Sequence, residues 1–405
     1  MNMIKLLSAC NITTGKLDAN AAVEEGKYPY FTCAPEPLRI DEYSFDDDVI
    51  LLAGNNASGN FHCQRYKGKF NAYQRTYVLT AKNGYDIDYI FYSLLINLQL
   101  FKRIAQGSQT KFLTMEILNN FEINDIPIDN QKSLVHSLVK IENKIDINQN
   151  ICAELEEISN LLYNYWFVQF DFPDENGKPY KSSGGKMVWN EELKREIPDG
   201  WEVVTFGDCI SSINTGLNPR DHFKLNTGGK IRYLTVKNLT KEGSIDFSSC
   251  DLIDEEARRI VHNRSNISIG DILFASISPL GRCYLILDSP SDWDINESVF
   301  SIRPNYKKMT SIFLYMTFMS EVFVKRAEGN STGSVFKGIR IAELQSLKTI
   351  IPPKGILDSF DNSISNLFTE RMNLFNENQE LASLRDFLLP MLMNGQVKVK
   401  EGETQ

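Results

Sequence analysis

The chain repeats itself over a long, constant offset. Gln109-Thr110-Lys111 through Pro127, then an apolar-periodic run through Glu154-Leu155 to Leu161-Leu162, returns as Val335-Phe336-Lys337 through Pro353, then Glu380-Leu381 to Phe387-Leu388. In the pairs Lys111/Lys337, Pro127/Pro353, Glu154/Glu380 and Leu162/Leu388 the two positions always differ by 226. A period this long is not a solenoid unit of a few tens of residues; it is a whole domain followed by a helix, made twice. Upstream, Ile90/Ile312, Phe101/Phe323, Ala105/Ala327 and Gly107/Gly329 differ by 222, which places an insertion of four between Gly329 and Lys337.

With 405 residues, 42% apolar and 23% charged, the chain has material for two or three soluble globular domains. Its seven cysteines are scattered without any C-x-x-C, a pattern that fits a reducing cytoplasm and neither a disulfide framework nor a structural zinc. The apolar stretch before Cys10 is too short for a signal peptide, and Tyr89 to Leu100, the longest apolar candidate, is broken by Asn97 and Gln99, so no membrane span is expected. The net charge of −9 argues mildly against a nucleic-acid partner. Against that, Arg65, Lys67, Lys69 and Arg75 form a local basic cluster with Tyr66, Phe70 and Tyr73 interleaved.

Short β-like runs, turn clusters such as Gly54 to Gly59 and a helix from Ile87 predict a mixed α/β unit over 1–130. A long helix follows, within 131–170, with Leu134, Leu138, Ile141, Ile145 and Asn148 at alternating steps of four and three, the spacing of a coiled-coil seam. The seam then continues as Ile151, Leu155, Ile158, Leu162 and Tyr165, which requires a phase slip near Asn148. Turn-rich 171–200 reads as a crossing linker, 201–355 as the second globular unit and 356–395 as the second long helix, with 396–405 a tail. That helix carries Phe360, Ile364, Leu367, Arg371, Leu374, Asn378, Leu381, Leu384 and Leu388, and Pro390 should end or kink it. Two apolar seams of about 55 Å each pair most simply with one another. The expected fold class is α+β: two similar mixed α/β domains and two long helices in an antiparallel coiled coil, with a pseudo-two-fold internal repeat. Such a rod would hold its domains tens of Å apart, on the scale of the ~34 Å turn of B-DNA.

This order of parts resembles the specificity (S) subunit of type I restriction-modification systems. Tyr165-Trp-Phe-Val-Gln-Phe-Asp-Phe-Pro173, Asn176-Gly-Lys-Pro-Tyr-Lys181 and Ile197-Pro-Asp-Gly-Trp-Glu202 resemble its central region and the start of its second target recognition domain. Tyr66 to Arg75 and Gly270 to Arg282 resemble blocks within recognition domains. The resemblance spans essentially the whole chain, although the first domain lacks an Ile-Pro-x-Gly-Trp opening. It implies a non-catalytic, DNA-binding chain that reads a bipartite asymmetric site, one half per domain, with the helices measuring the spacer. It further implies two methyltransferase (M) subunits docked on the helices and restriction (R) subunits joining them. S-adenosylmethionine, ATP and Mg would then belong to those partners, with no cofactor, metal or catalytic residue in this chain.

Base reading needs paired donors and acceptors, and backbone gripping needs cations. The first-domain candidates are Asn55, Asn56, Lys67, Lys69, Asn71, Tyr73, Gln74, Arg75 and Lys111. Those of the second are Arg220, Arg232, Lys237, Asn238, Ser278, Arg282, Ser331, Thr332 and Lys337. Enzyme signatures are weak: the single Pro-Pro, Pro352-Pro353, leads into a helix and is not a methyltransferase motif, and no phosphate-binding Gly-x-x-x-x-Gly-Lys loop occurs. Asp129, Glu142 and Lys144 imitate a nuclease pattern, but the last two belong to the coiled-coil helix. The remaining rival is a coiled-coil scaffold that binds proteins and not DNA.

Overall fold

A computed structural model describes residues 2–220, 222–329 and 338–396 of the chain. Its contacts divide into two compact units, Met1–Gln149 with Asn376–Gln405, and Asn150–Phe375. Each unit thus takes one globular portion together with a length of both long helices.

In the first unit a six-stranded sheet runs in the order Cys10–Thr14, Thr76–Ala81, Phe45–Ala53, Cys63–Ala72, Tyr28–Phe31 and Leu38–Ile40. A separate pair, Met3–Lys5 with Glu122–Asn124, sits at its base, and helices Ile87–Ile96 and Leu98–Ile104 cover one face. The first of these helices starts where the Asp86 carboxylate accepts the Asp88 and Tyr89 amides at 3.1 Å, two donors that the first turn would otherwise leave unpaired. Leu6, Ile50, Leu52, Leu79, Ile90, Leu94 and Phe101 fill the core between sheet and helices.

The second unit rebuilds the same frame. Strands Ile210–Thr215, Val299–Pro304, Ile272–Ala275 and Cys283–Leu285 keep the order of the first four strands of the other sheet, and Glu202–Thr205 pairs with Lys348–Ile351 at the base. Equivalent backbone contacts recur: Leu113 N donates to Gly54 O at 2.8 Å, and their repeat counterparts, Ile339 N and Ser276 O, are joined at 2.8 Å. After each first sheet strand the chain passes so close to a neighbour that only glycine fits. A Cβ on Gly15 would lie 1.7 Å from Ala72 O, and one on Gly216 would lie 1.6 Å from Ile295 O. Beyond the shared strands the units diverge. The long hairpin Phe45–Ala53/Cys63–Ala72 is cut down in the second unit to the short pair Ile272–Ala275/Cys283–Leu285, and that unit adds a three-stranded sheet (Asp251–Ile253, Ile231–Leu234, Trp293–Ile295) and a helix, Glu255–Ser265.

Pro127 and Pro353 stand immediately before the two long helices, Ile128–Tyr163 and Lys354–Met393. Proline lacks the amide that a first turn leaves unpaired, so it marks a start without cost. In each unit the two helices run antiparallel. Glu142 meets Arg385 at 3.0 Å and Asn148 meets Asn378 at 2.9 Å in the first, while Glu156 meets Arg371 at 3.0 Å and Tyr163 meets Phe360 in the second.

The seam differs from the sequence expectation in its second half. Ile151 and Ile158 are 36% and 46% exposed, and the inward positions are Asn148, Cys152, Leu155 and Ser159. The steps of four and three therefore continue past Asn148 with no slip. Small Cys152 and Ser159 occupy the seam: Cys152 Sγ lies 3.8 Å from Arg371 O, and Ser159 lines a small cavity with Tyr315, Met316, Leu367, Phe368 and Arg371. On the second helix the seam passes through Arg385 and not through Leu384, which is 46% exposed. Apolar spacing could not separate these neighbours, since an arginine half-buried by its ion pair counts as polar. Pro390 does not stop the helix, which runs one further turn to Met393 while Leu389, Leu392 and Met393 bury against Val135 and Leu138.

The first helix ends at Tyr163 and widens into a π-helical turn, Asn164–Val168, before Phe170 takes φ of 67°. Trp166 and Phe167 both reach Phe360, with ring centroids 5.4 and 4.7 Å away. The segment after it is not a loose linker. Phe172 stacks between Tyr180 and Trp201, the Asp171 carboxylate takes Ser182 Oγ and N at 2.6 and 2.7 Å, and Met187–Asn190 forms a hairpin with Arg195–Pro198. Those hydrogen bonds hold the Asp171 carboxyl below its usual range.

Candidate nucleic-acid interface

The basic cluster of the first unit lies on the hairpin strand Cys63–Ala72, and the strand facing it is acidic. Lys67 stands opposite Asp48 and Lys69 opposite Asp46 in the antiparallel ladder. Arg65 is spent on Asp48 at 2.6 Å, Asp88 at 2.7 Å and the Val49 carbonyl at 2.7 Å. Lys69 also lies 4.7 Å from the Tyr43 ring centroid. Directly opposed charges offset one another at this range, so the surface is a mixed ladder and not the positive patch that composition suggested. Lys67 and Lys69 themselves remain exposed.

Two asparagine candidates are structural. Asn71 is 2% exposed, donates to the Glu42 carbonyl at 3.1 Å and accepts the Ala72 amide at 2.9 Å. Asn238 is also 2% exposed; its oxygen takes the Thr235 amide at 2.9 Å and its nitrogen donates to Asp246 O at 3.1 Å and Ser249 Oγ at 3.2 Å. Neither can turn to a base without leaving buried backbone groups unpaired. Arg232 is held by Asp292 and lies 4.9 Å over the Phe247 ring, so it too is a packing residue. Gln74 is tied to Asp18 through its side chain and to Leu17 O through its amide, and Tyr73 bridges to Leu17. Arg75, Arg220 and Ser278 are exposed on turns or bends, and Lys237 is exposed on the 3-10 turn Val236–Asn238. Ser331, Thr332 and Lys337 lie outside the described residues.

What the structure does bring together is the pair of equivalent loops that leave the central sheet strands. In the first unit Asn55 and Asn56 pair with Phe112 and Lys111. In the second, Ile277 meets Gly338 in the matching position, and Arg282 Nη1 donates to Leu239 O at 2.9 Å, tying the loop to its neighbour. The same frame therefore presents an asparagine-rich loop in one unit and an Ile-Ser-Pro-Leu loop in the other.

The helix Glu255–Ser265 has no candidate among the residues that the sequence brings forward. It carries Arg258, Arg259, His262 and Arg264 after two acids in its first turn, an order that complements the helix dipole and so reads as ordinary capping. Arg258 donates to Pro290 O at 2.8 Å and Arg264 to Thr215 Oγ1 at 3.2 Å, while Arg259 is exposed. His262 Nδ1 lies 3.0 Å from Asp294, a buried carboxyl that desolvation pushes up although Ser265, the Ile295 amide and His262 oppose the shift. The buried thiols of Cys10 and Cys209 are pushed up by desolvation to about 12 and are not nucleophiles at neutral pH.

The outward faces of the long helices are apolar at repeated positions. Ile158 and Leu161 are 46% and 66% exposed on the first helix, and Leu384 and Phe387 are 46% and 60% exposed on the second. These pairs stand at the same offset as the repeat itself.

With duplicated frame, unlike loops and repeated helix faces in place, comparison with known proteins is decisive about class. The model of the type I restriction modification DNA specificity domain matches residues 1–157 and 198–373, and the chain belongs to that family. It is 24% identical over 374 residues to the type I restriction enzyme EcoDI specificity subunit of Escherichia coli, covering 86% of this chain and 77% of the relative. It is 26% identical over 343 residues to the MjaIX specificity subunit of Methanocaldococcus jannaschii, covering 80% and 72%. The fold matches the crystal structure of the S subunit from M. genitalium with a TM-score of 0.60 at 16% identity over 96% of this chain and 95% of that one. Among the described residues no helix is long and apolar enough to cross a membrane.

Proposed function

We propose that this chain is the non-catalytic specificity subunit of a type I restriction-modification complex that acts in the cytoplasm. Each recognition unit reads one half of a bipartite, asymmetric double-stranded DNA site, and the paired helices set the spacer between the halves. The observation that carries this reading is the equivalence of the loops at Gly54 and Ser276. They hang from the same backbone contacts yet expose different side chains. A symmetric reader would need the same side chains twice.

Two copies of one methyltransferase subunit dock on the duplicated helix faces, one at Ile158 and Leu161, the other at Leu384 and Phe387. Exposed apolar pairs repeated at the period of the whole chain fit one partner bound twice. Restriction subunits join through that core. S-adenosylmethionine, ATP and Mg are held by the partners. The scaffold reading without DNA binding is not favoured, because the family is one of DNA specificity domains.

The test is co-expression with the neighbouring methyltransferase, followed by duplex binding at fixed salt and mapping of methylated adenines in the host genome. A two-part methylated motif that disappears when the chain is deleted supports the reading; methylation unchanged by the deletion sinks it.

A further inference from the structure

In the first unit the turn Gly54 to Asn60 is closed over by two lysines from different elements. Lys111 pairs with Asn56 through its backbone, and Lys102 comes from the helix Leu98–Ile104 and donates to Asn60 Oδ1 at 2.6 Å. Gly59, at φ of 71°, is the point where they meet: a Cβ there would lie 3.2 Å from Lys111 Cγ and 3.3 Å from Lys102 Cγ. The two stems therefore approach one point on the loop, and the Lys102 ammonium lies against Asn60 beside it. The acceptors of the loop are already used. Asn56 Oδ1 takes the Ser58 and Asn60 amides at 2.9 and 3.0 Å, and Asn60 Oδ1 takes Lys102. Burial pushes the adjoining His62 below its usual range, so that imidazole stays neutral and the positive charge is that of the lysines. No carboxylate among the described residues pairs with either lysine. A site whose neutral acceptors are spent and whose lysines have no carboxylate partner suits an anion.

The second unit keeps the geometry but replaces one of the two lysines, while Lys337, the repeat counterpart of Lys111, lies outside the described residues. Gly281, at φ of 84°, abuts the same turn of the equivalent helix, where a Cβ would lie 3.0 Å from Val324 Cγ2; Val324 is the repeat counterpart of Lys102.

We propose that Lys102 and Lys111, folded over Gly59, seat one phosphate of the DNA backbone, and that the second unit, with Val324 in the place of Lys102, lacks that half of the seat. This rests on the DNA-reading function above. Its role is grip and register, with no preference among bases, since a phosphate carries no sequence information.

The experiment titrates cognate and random duplex with the complex of this chain and its methyltransferase across a series of NaCl concentrations. Lys102→Gln with Lys111→Gln removes both charges and keeps the stems that pack on Gly59; Lys102→Arg with Lys111→Arg keeps the charge. One lost phosphate contact should lower the magnitude of the slope of log K against log salt by about 0.9, equally for both duplexes, and the arginine variant should retain the parental slope. A parental slope in the glutamine variant overturns the seat alone. Failure of the parent complex to bind any duplex overturns the DNA reading and the seat with it. A loss confined to cognate duplex also overturns it, by making the lysines base readers.

Discussion

Behind the Gly54–Asn60 loop of the first unit the covering helix carries Lys102; at the same turn in the second unit stands Val324. The loops themselves enter through identical backbone bonds, Leu113 N to Gly54 O and Ile339 N to Ser276 O. The units thus differ at this rim as well as in the elements added beyond the shared strands, while the order of the four shared strands, the strand pair at the base of each sheet and the close-packed glycines are held in common. A duplicated frame tolerates this because rim side chains are not part of either core, and their replacement costs little stability. Under the proposed function, the preserved part is the one that meets the same partner twice, and the released part is the one that meets two different half-sites.

The largest effect should come from the shared part. Leu384→Asp with Phe387→Asp should reduce the methyltransferase bound per chain from two copies to one, read by mass measurement of the purified complex. Adding Ile158→Asp with Leu161→Asp should remove the second copy. All four side chains are exposed, so the chain itself should keep its melting temperature. Two copies retained by the quadruple variant would place docking elsewhere.

The rim gives the next effect, in a direction opposite to the loss of the lysine seat. Val324→Lys copies the first unit into the second and should steepen the salt slope by up to about 0.9. Lys67→Ala with Lys69→Ala should move it less than the glutamine variant of Lys102 and Lys111, because Asp48 and Asp46 stand across the ladder from them. A larger loss from the Lys67 and Lys69 variant would show that the ladder, and not the loop, faces DNA.

A smaller contrast lies in the helices. Val135 is buried in the first unit, and its repeat counterpart Asp361 occupies the matching place in the second, accepting Thr310 Oγ1 at 2.9 Å. Desolvation raises the Asp361 carboxyl from 3.8 to about 6. A raised carboxyl pKa means the ionised form is penalised in the folded state. The parent therefore gains stability as pH falls through 6 toward 4, where the folded chain binds a proton that the unfolded chain does not. Asp361→Asn should be more stable than the parent by about 1 kcal/mol at pH 7.5, with the difference vanishing near pH 4 in thermal melts. An unchanged difference across that range would show that the carboxyl is solvated.

These contrasts also mark how far the sequence can be read. The repeat, the two long helices and their prolines are legible because backbone periodicity and apolar spacing survive duplication. The first half of the seam follows its apolar spacing through Ile145 and Asn148. The second half does not, since small, weakly apolar Cys152 and Ser159 take inward positions, and Arg371 and Arg385 enter the seam through ion pairs that an apolar template misses. At the rim, residue type alone promotes Asn71 and Asn238, which spend their polar atoms inside the fold, and Arg232, which is paired with Asp292 at the surface. Lys102 escapes a reading by sequence because its partner Asn60 is remote along the chain, and only the folded chain brings Gly59 between it and Lys111.

The central claim is that two unlike rims on one repeated frame read two independent half-sites. It is tested most directly by replacing residues 2–110 with the corresponding first unit of another specificity subunit and mapping methylated adenines in the host. The account predicts a hybrid motif in which one half changes and the other half is retained. A motif changed in both halves, or unchanged in both, would contradict it.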